Sequence, residues 1–527
     1  MGSSIAGPPE AGLSKSSGLL SGTSGVVAEA PRMALITASP PARRTSRPAA
    51  LPRTVPALLA AAFFAVFAVF ALREHARFRT TGYDLGIFGQ AVRAYAEGRA
   101  PASGIRAATA PPGFAADAYP LLGDHFHPVL VLLAPLYRIA PHVGTLLVAQ
   151  AALVALAVYV LARTAQQHLP ERRFAAPAVG TACGLGWGVQ QLIGFDFHEV
   201  AFAVPLLALA CRALLDGRTR AAACWAAALL LVKEDLGATA AVFGLLLARQ
   251  DRRTGLALTA GSVLGTVLIV YGVIPAFAPD GRYLYAGQVT GAYGLLDGWH
   301  VKVLTVLLLL AVTGGLVVRS PLALLLLPTL AWRFTSANPA HWEPGLHYSA
   351  VLVPIALAAL VDALRRGVRL PLSVPVAVAL LLLPTQPLAS PATPGFWRTS
   401  PREVAAREAL ALVPDGARVA ASNSLAPHLT DRTTVHLVAD GVLGRSPAVE
   451  WVVADRTDAW PAGAVGRVLR QAAGDGGWRV VRDEAGIVVL VRQRGQTDWR
   501  SRSSPFTTFP LAFLGSSVTN STSRGTL

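Results

Sequence analysis

Charge is scarce in this chain. Only 14% of its 527 residues are charged, 53% are hydrophobic, and the mean hydropathy is +0.48. A soluble domain carries roughly 25% charge, so the balance excludes an ordinary soluble protein and reads as an all-α polytopic membrane protein. Acids are the scarcer sign, 30 against 46 Lys and Arg, for a net charge of +16. In so apolar a chain that excess points to Arg-rich cytoplasmic loops and not to nucleic acid. Cysteine is nearly absent: Cys183, Cys211 and Cys224 all lie in apolar runs, which excludes a disulfide framework. No Cys/His spacing suggests zinc, and no Walker or Gly-rich dinucleotide loop suggests a nucleotide fold. Methionine occurs only at Met1 and Met33, and Met33 is a candidate true start.

What the chain does have is a series of apolar runs. Residues 1–52, rich in Gly, Ser, Ala and Pro, read as a disordered cytoplasmic N-terminus. Arg43, Arg44, Arg47 and Arg53 then precede a retained signal-anchor at about 56–72. Further spans are expected at about 143–163, 175–193, 200–215, 221–232, 236–248, 255–277, 303–318, 321–332, 350–364 and 370–388, about eleven in all. The membrane domain is thus 53–390. Its first outer loop, about 73–142, carries a short helix on the membrane surface, Leu85 to Ala96, and an interfacial or re-entrant one, Val129 to Ile139. Lys233-Glu234-Asp235 is read as the tip of a hairpin; the alternative is one long helix with these charges at its centre, as a transporter's solute path would have, which would invert every later span. The loops this scheme places inside hold Arg163, Arg172, Arg173, Arg218, Arg220, Arg249, Arg252, Arg253, Arg319, Arg365, Arg366 and Arg369. The short outer loops hold only Lys233, Arg282, Lys302 and Arg333.

Composition changes after residue 390. Helices at 401–413 and 462–473 and strands at 418–422, 434–438, 451–455 and 478–491 read as a small extracytoplasmic α/β domain, 391–493. Residues 494–527 read as a disordered tail.

Polar islands carry the chemistry. Thr80-Thr81-Gly82-Tyr83-Asp84-Leu85-Gly86 follows the first run. Asp124-His125-Phe126-His127, Asp196-Phe197-His198-Glu199, Lys233-Glu234-Asp235 and His347-Tyr348 each sit at an outer helix end. Each has a bland reading: Asp84 and Asp124 as helix caps, Lys233 paired with Glu234 or Asp235, Trp299 and Trp342 as belt residues. Capping alone does not favour acid–His clusters on one face and Arg on the other, so the outer face is the candidate functional face. A carboxylate there can bind a cation, hold a metal, or take a proton from a hydroxyl.

The acid after span one, the loop helices, the many spans and the C-terminal domain together resemble the GT-C superfamily of integral-membrane glycosyltransferases. Tyr83-Asp84-Leu85-Gly86-Ile87-Phe88, His125-Phe126-His127-Pro128, Phe195-Asp196-Phe197-His198, Val232-Lys233-Glu234-Asp235 and His347-Tyr348 are similar to a family of predicted bacterial multi-spanning membrane proteins, a domain of unknown function grouped near GT-C. The resemblance implies transfer of a sugar from a polyprenyl-phosphate donor to a cell-envelope acceptor, in the plasma membrane, among membrane lipids. It implies catalytic roles for Asp84 and Asp124, the latter as a second acid because Asp84 has no adjacent one. It also implies donor phosphate on Lys233, with Arg282 or Arg333. Acceptor, phosphate or a divalent cation falls to His125, His127, Asp196, His198, Glu199, Glu234, His347 and Tyr348. Two rivals are a transporter or flippase, and a non-enzymatic envelope assembly protein.

Overall fold

The computed structural model describes residues 52–111, 113–288, 296–445 and 447–493. The N-terminal stretch and the tail expected to be disordered lie outside them.

Val55–Ala76 begins with Pro56, whose missing N–H costs nothing in the first turn, and runs apolar to Arg73. One face packs on the helices Gly144–His168 and Ala175–Gly184. Gly184 permits the approach: a Cβ there would stand 2.4 Å from the Phe63 ring. The opposite face leaves Leu58, Val66 and Val69 exposed, as a lipid-facing stripe requires.

The fold is mostly helical, but its helices are not eleven long rods. Among the described residues, four are long and apolar enough to cross a membrane: Val55–Ala76, Gly144–His168, Arg252–Phe277 and His347–Arg365. Six more apolar helices are shorter. The run expected at 175–193 is broken into Ala175–Gly184 and Trp187–Gly194, where Gly186 turns extended. Gln190 Nε2 donates to the Leu185 carbonyl at the break. The charged triplet interrupts the next pair: Thr219–Ala227 runs through a 3-10 turn to Leu231, and the chain reverses at Lys233–Asp235 into Leu236–Leu247. The triplet therefore tips a hairpin, because three buried charges in mid-helix would lack partners there.

The loop helix expected to lie on the membrane surface is packed against protein on both faces. Leu85, Phe88 and Val92 form its buried apolar face. Its polar face is covered too: Gln90 Nε2 donates to the Val435 carbonyl, and Arg93 to the carbonyls of Thr430 and Thr433. The second loop helix, Pro128–Ile139, does expose Val131, Leu132, Leu136 and Ile139.

The C-terminal region opens on a capping box, Ser400 with Glu403, ahead of the helix Pro401–Ala411. Its five-stranded sheet has the order Thr434–Leu437, Arg418–Ala421, Trp451–Asp455, Ile487–Arg492, Trp478–Glu484. The first three strands are mutually parallel and the last two are antiparallel additions. Residues 478–491 are thus two strands and not one, turning at Ala485-Gly486, both at positive φ. The boundary expected at 390 has no counterpart in packing. Phe396 stacks on Phe70 at 5.9 Å, Arg73 donates to the Phe396 and Arg398 carbonyls, and one apolar core runs from the helices into the sheet.

The two ends of the bundle differ chemically. At one end Arg172 donates to the carbonyls of Val368 and Leu370, Arg365 to that of Leu215, and Asp362 pairs with Arg365 and Arg366. The islands holding Asp84, His125, Asp196, His198, Glu199 and Glu234 gather at the other.

Candidate functional site

The turn Gly82–Gly86 exists because its backbone is held from outside. Gly82 N–H donates to the Asn423 carbonyl at 2.6 Å and Tyr83 N–H to Asn423 Oδ1 at 2.9 Å. A Cβ on Gly82 would lie 2.7 Å from the Ala426 Cβ, so only glycine fits. Asp84 follows with its side chain 23% exposed.

From Asp84 an unbroken polar chain runs inward. His198 Nε2 lies 3.3 Å from Asp84 Oδ1, and His198 Nδ1 lies 3.0 Å from Glu199 Oε2. Glu199 Oε1 meets Lys233 Nζ at 2.8 Å. On the other side, the Thr81 hydroxyl donates at 2.8 Å to Asp196 Oδ2 and lies 3.3 Å from Asp84 Oδ2; the Thr81 N–H also donates to Asp196. Asp196 sits at φ 93°, a region costing roughly 1–3 kcal/mol that surrounding structure must enforce. Gln150 supplies that enforcement: its Nε2 donates to the carbonyls of Leu192 and Asp196, and its Oε1 accepts from His198 N–H. The His198 ring stacks on His347 at 3.7 Å and meets the Phe88 edge at 5.2 Å.

The charges sort by environment. Burial, then the neighbouring Asp84, pushes the Asp196 carboxyl well above the usual carboxylate range. For His198 burial opposes charge, but Glu199 and Asp84 outweigh it and raise the ring to about 9. For Glu199 burial is outweighed by Lys233 and His198, which hold it well below its ordinary value. Acid–base roles follow from such divergence: a carboxyl biased toward its neutral form and an imidazole biased toward its charged form both stand at Asp84. A folded pKa raised from 6.5 to about 9 stabilises fully below pH 6.5 and is lost as pH rises through 9. The unfolding temperature in detergent is therefore expected to fall between pH 7 and 9, and His198→Gln to flatten part of that slope. His125, also raised, keeps the remainder. An unchanged slope in the variant would sink the assignment.

A second cluster adjoins the first. Glu234 accepts from Tyr283 O–H at 3.0 Å and Phe126 N–H at 3.1 Å, and lies 2.6 Å from His125 Nδ1. For Glu234 burial is outweighed by His125, leaving it at about 2. Asp124 is gripped by Arg106 at 2.9 and 3.1 Å and by Tyr285 O–H at 2.8 Å. The His125 and Tyr285 rings stack at 4.5 Å.

Two expected roles find other partners. Asp124 is neutralised by Arg106, so it offers no second acid to Asp84; the acid sharing Thr81 with Asp84 is Asp196. Lys233 pairs with Glu199 across the fold, not with a neighbour in sequence. Arg333 is fully buried and spends its guanidinium on the carbonyls of His341 and Glu343 and the Ser349 hydroxyl, while Arg282 is exposed. His127 Nδ1 and both His347 ring nitrogens are buried without a hydrogen-bond partner. Tyr348 packs against Trp332, His341 and His347.

The donor set does not fit a divalent cation as arranged. Asp84, Glu199, Glu234 and Asp124 are each engaged by a cation or hydrogen-bond donors, and no group of three or more His, Cys, Asp or Glu among the described residues could hold a metal.

Sequence reasoning gave no role to Thr81, Arg106, Gln150, Tyr283, Tyr285 or Asn423. Gln150 had a signal, as the one amide inside the run 143–163. Arg106 and Asn423 had none, since their partners are set only by the fold.

No curated protein matches the chain. A solved structure that matches is the cryo-EM structure of an arabinofuranosyltransferase, AftD, from Mycobacteria. It shares 16% identity at a TM-score of 0.44 over 85% of this chain and 42% of that one. The chain thus spans under half the length of that enzyme. Residues 74–489 match a family described as "Predicted membrane protein (DUF2079)", and they include every residue of both clusters. With most of its length matched, the chain belongs to this DUF2079 family of membrane proteins.

Proposed function

We propose that the protein is an integral-membrane glycosyltransferase moving a sugar from a polyprenyl-phosphate donor to an envelope acceptor at the outer face. The observation that carries this reading is the chain Lys233–Glu199–His198–Asp84. It orients one partly exposed carboxylate at a bundle end whose neighbouring helix, Pro128–Ile139, exposes apolar side chains. In the proposed step Asp84 takes the proton of the acceptor hydroxyl. The acceptor oxygen forms the new bond to the sugar's anomeric carbon, and the bond from that carbon to the phosphate oxygen breaks, releasing polyprenyl phosphate. His198 holds Asp84 in place, in the manner of a base and its orienting partner. The transporter reading needed Lys233-Glu234-Asp235 in mid-helix, and their place in a turn removes that support.

The C-terminal domain touches the loop after the first helix, so both lie on one face. With a cytoplasmic N-terminus and both on the outer face, this reading needs an odd number of crossings. The test replaces the three native cysteines and places single ones at exposed Ala115, Gly345 and Asp475, and at Pro170 and Gln250 at the other end. An impermeant thiol reagent on whole cells is expected to label the first three and not the last two. Membranes with the protein should also move more radiolabel from lipid-linked sugars into envelope material than membranes without it. Labelling of Pro170 and Gln250 sites from outside would reverse the topology, and equal transfer would remove the enzyme.

A further inference from the structure

The parallel part of the C-terminal sheet reverses its strand order at its first strand. From Arg418–Ala421 the chain crosses to Thr434–Leu437 on one side, then returns to Trp451–Asp455 on the other, all three parallel. In open α/β sheets, ligands bind outside the carboxyl ends of the strands where the strand order reverses. Here that place lies between the segments following Ala421 and Asp455. Those segments are tied together: Asp455 N–H donates to the Ser422 hydroxyl at 3.0 Å, and Ser424 N–H to Asp458 Oδ2 at 2.7 Å.

The crevice is filled by the chain itself. Gly82 and Tyr83 donate their backbone N–H groups to Asn423, which follows the first strand. The Tyr83 ring packs at 4.5 Å on Trp460, which follows the third. The same segment continues alongside the next turns, where a Cβ on Gly89 would stand 3.2 Å from the Thr430 hydroxyl.

We propose that this domain uses its ligand crevice to hold the Thr80–Asp84 turn, and that Asn423 is the positioning residue for Asp84. The inference rests on Asp84 being the reactive group. The crevice then has no room for a soluble ligand, and the domain serves as a template for the membrane site.

Hydrogen–deuterium exchange on the full-length protein in detergent tests it. Asn423→Ala removes the side-chain acceptor for Tyr83 N–H, whereas Asn423→Asp keeps an oxygen there. Exchange in peptides covering 80–86 is expected to rise at least tenfold in the Ala variant and to stay near the parent rate in the Asp variant. Peptides from 144–168 and 451–455 should not change. Unchanged exchange in the Ala variant, or a rise spread equally over the strands, overturns the clamp. Transfer from radiolabelled lipid-linked sugars is read on the same variants. Fast exchange with full transfer overturns the positioning role, and Asp84→Asn measured alongside tells whether the reactive assignment fell with it.

Discussion

Asp84→Asn is expected to lower sugar transfer by about 10²–10⁴-fold, the usual contribution of a positioned acid or base. The substitution keeps the shape and a hydrogen-bonding oxygen, so the protein should insert and melt as the parent does. What it removes is a group able to take a proton. The contrast with Asp196 makes the prediction sharp. That carboxyl sits in the same polar chain but is driven well above the ordinary carboxylate range by burial and by Asp84. A carboxyl biased toward its neutral form is close to an amide, so Asp196→Asn should leave transfer within a few-fold of the parent. Transfer measured from radiolabelled lipid-linked sugars in membranes decides between the two. Full activity in the Asp84 variant with loss in the Asp196 variant would exchange their roles; loss in neither would remove the site.

Lys233→Met is the variant expected to damage the fold most. Glu199 has a side chain 1% exposed and meets Lys233 at 2.8 Å. Removing one member of a buried ion pair typically costs about 3–5 kcal/mol, because the other charge stays buried and unpaired. His198 would remain as Glu199's partner, but it is also held by Asp84, so the disturbance reaches the reactive end. The double variant Lys233→Met with Glu199→Gln removes both charges and should recover most of the thermal midpoint. A single variant as stable as the parent in detergent melts would show that the pair does not hold the hairpin tip in place.

The islands that met in space were legible because each broke an apolar run. Asp84, Asp196 and His198 stood out as polar residues at helix ends, and the hairpin at Lys233-Glu234-Asp235 followed from the cost of charge in mid-helix. Partners were not legible. Lys233 has two acids beside it in sequence, yet its closest carboxylate is Glu199, because the hairpin tip lands on the start of the preceding helix. Asp124 looked like a spare acid until Arg106, from a segment without periodicity, closed on it. The loop helix at 87–96 showed the right apolar face, but sequence could not tell water from a second layer of protein on the other. The C-terminal sheet was readable as strands, whereas its union with the membrane core was not, since nothing local encodes which carbonyl Gln90 or Arg93 will meet.

The Asn423 contact also sets a schedule. Asn423 and Tyr83 are 340 residues apart. At roughly 5–20 residues per second, Asn423 leaves the ribosome on the order of 20–70 s after Tyr83. For that interval the membrane helices are inserted while the turn bearing Asp84 has no partner for its backbone. If Asp84 is the reactive group, a chain that has not yet reached Asn423 holds that group unpositioned, and the segment after the first strand of the sheet is what arms it.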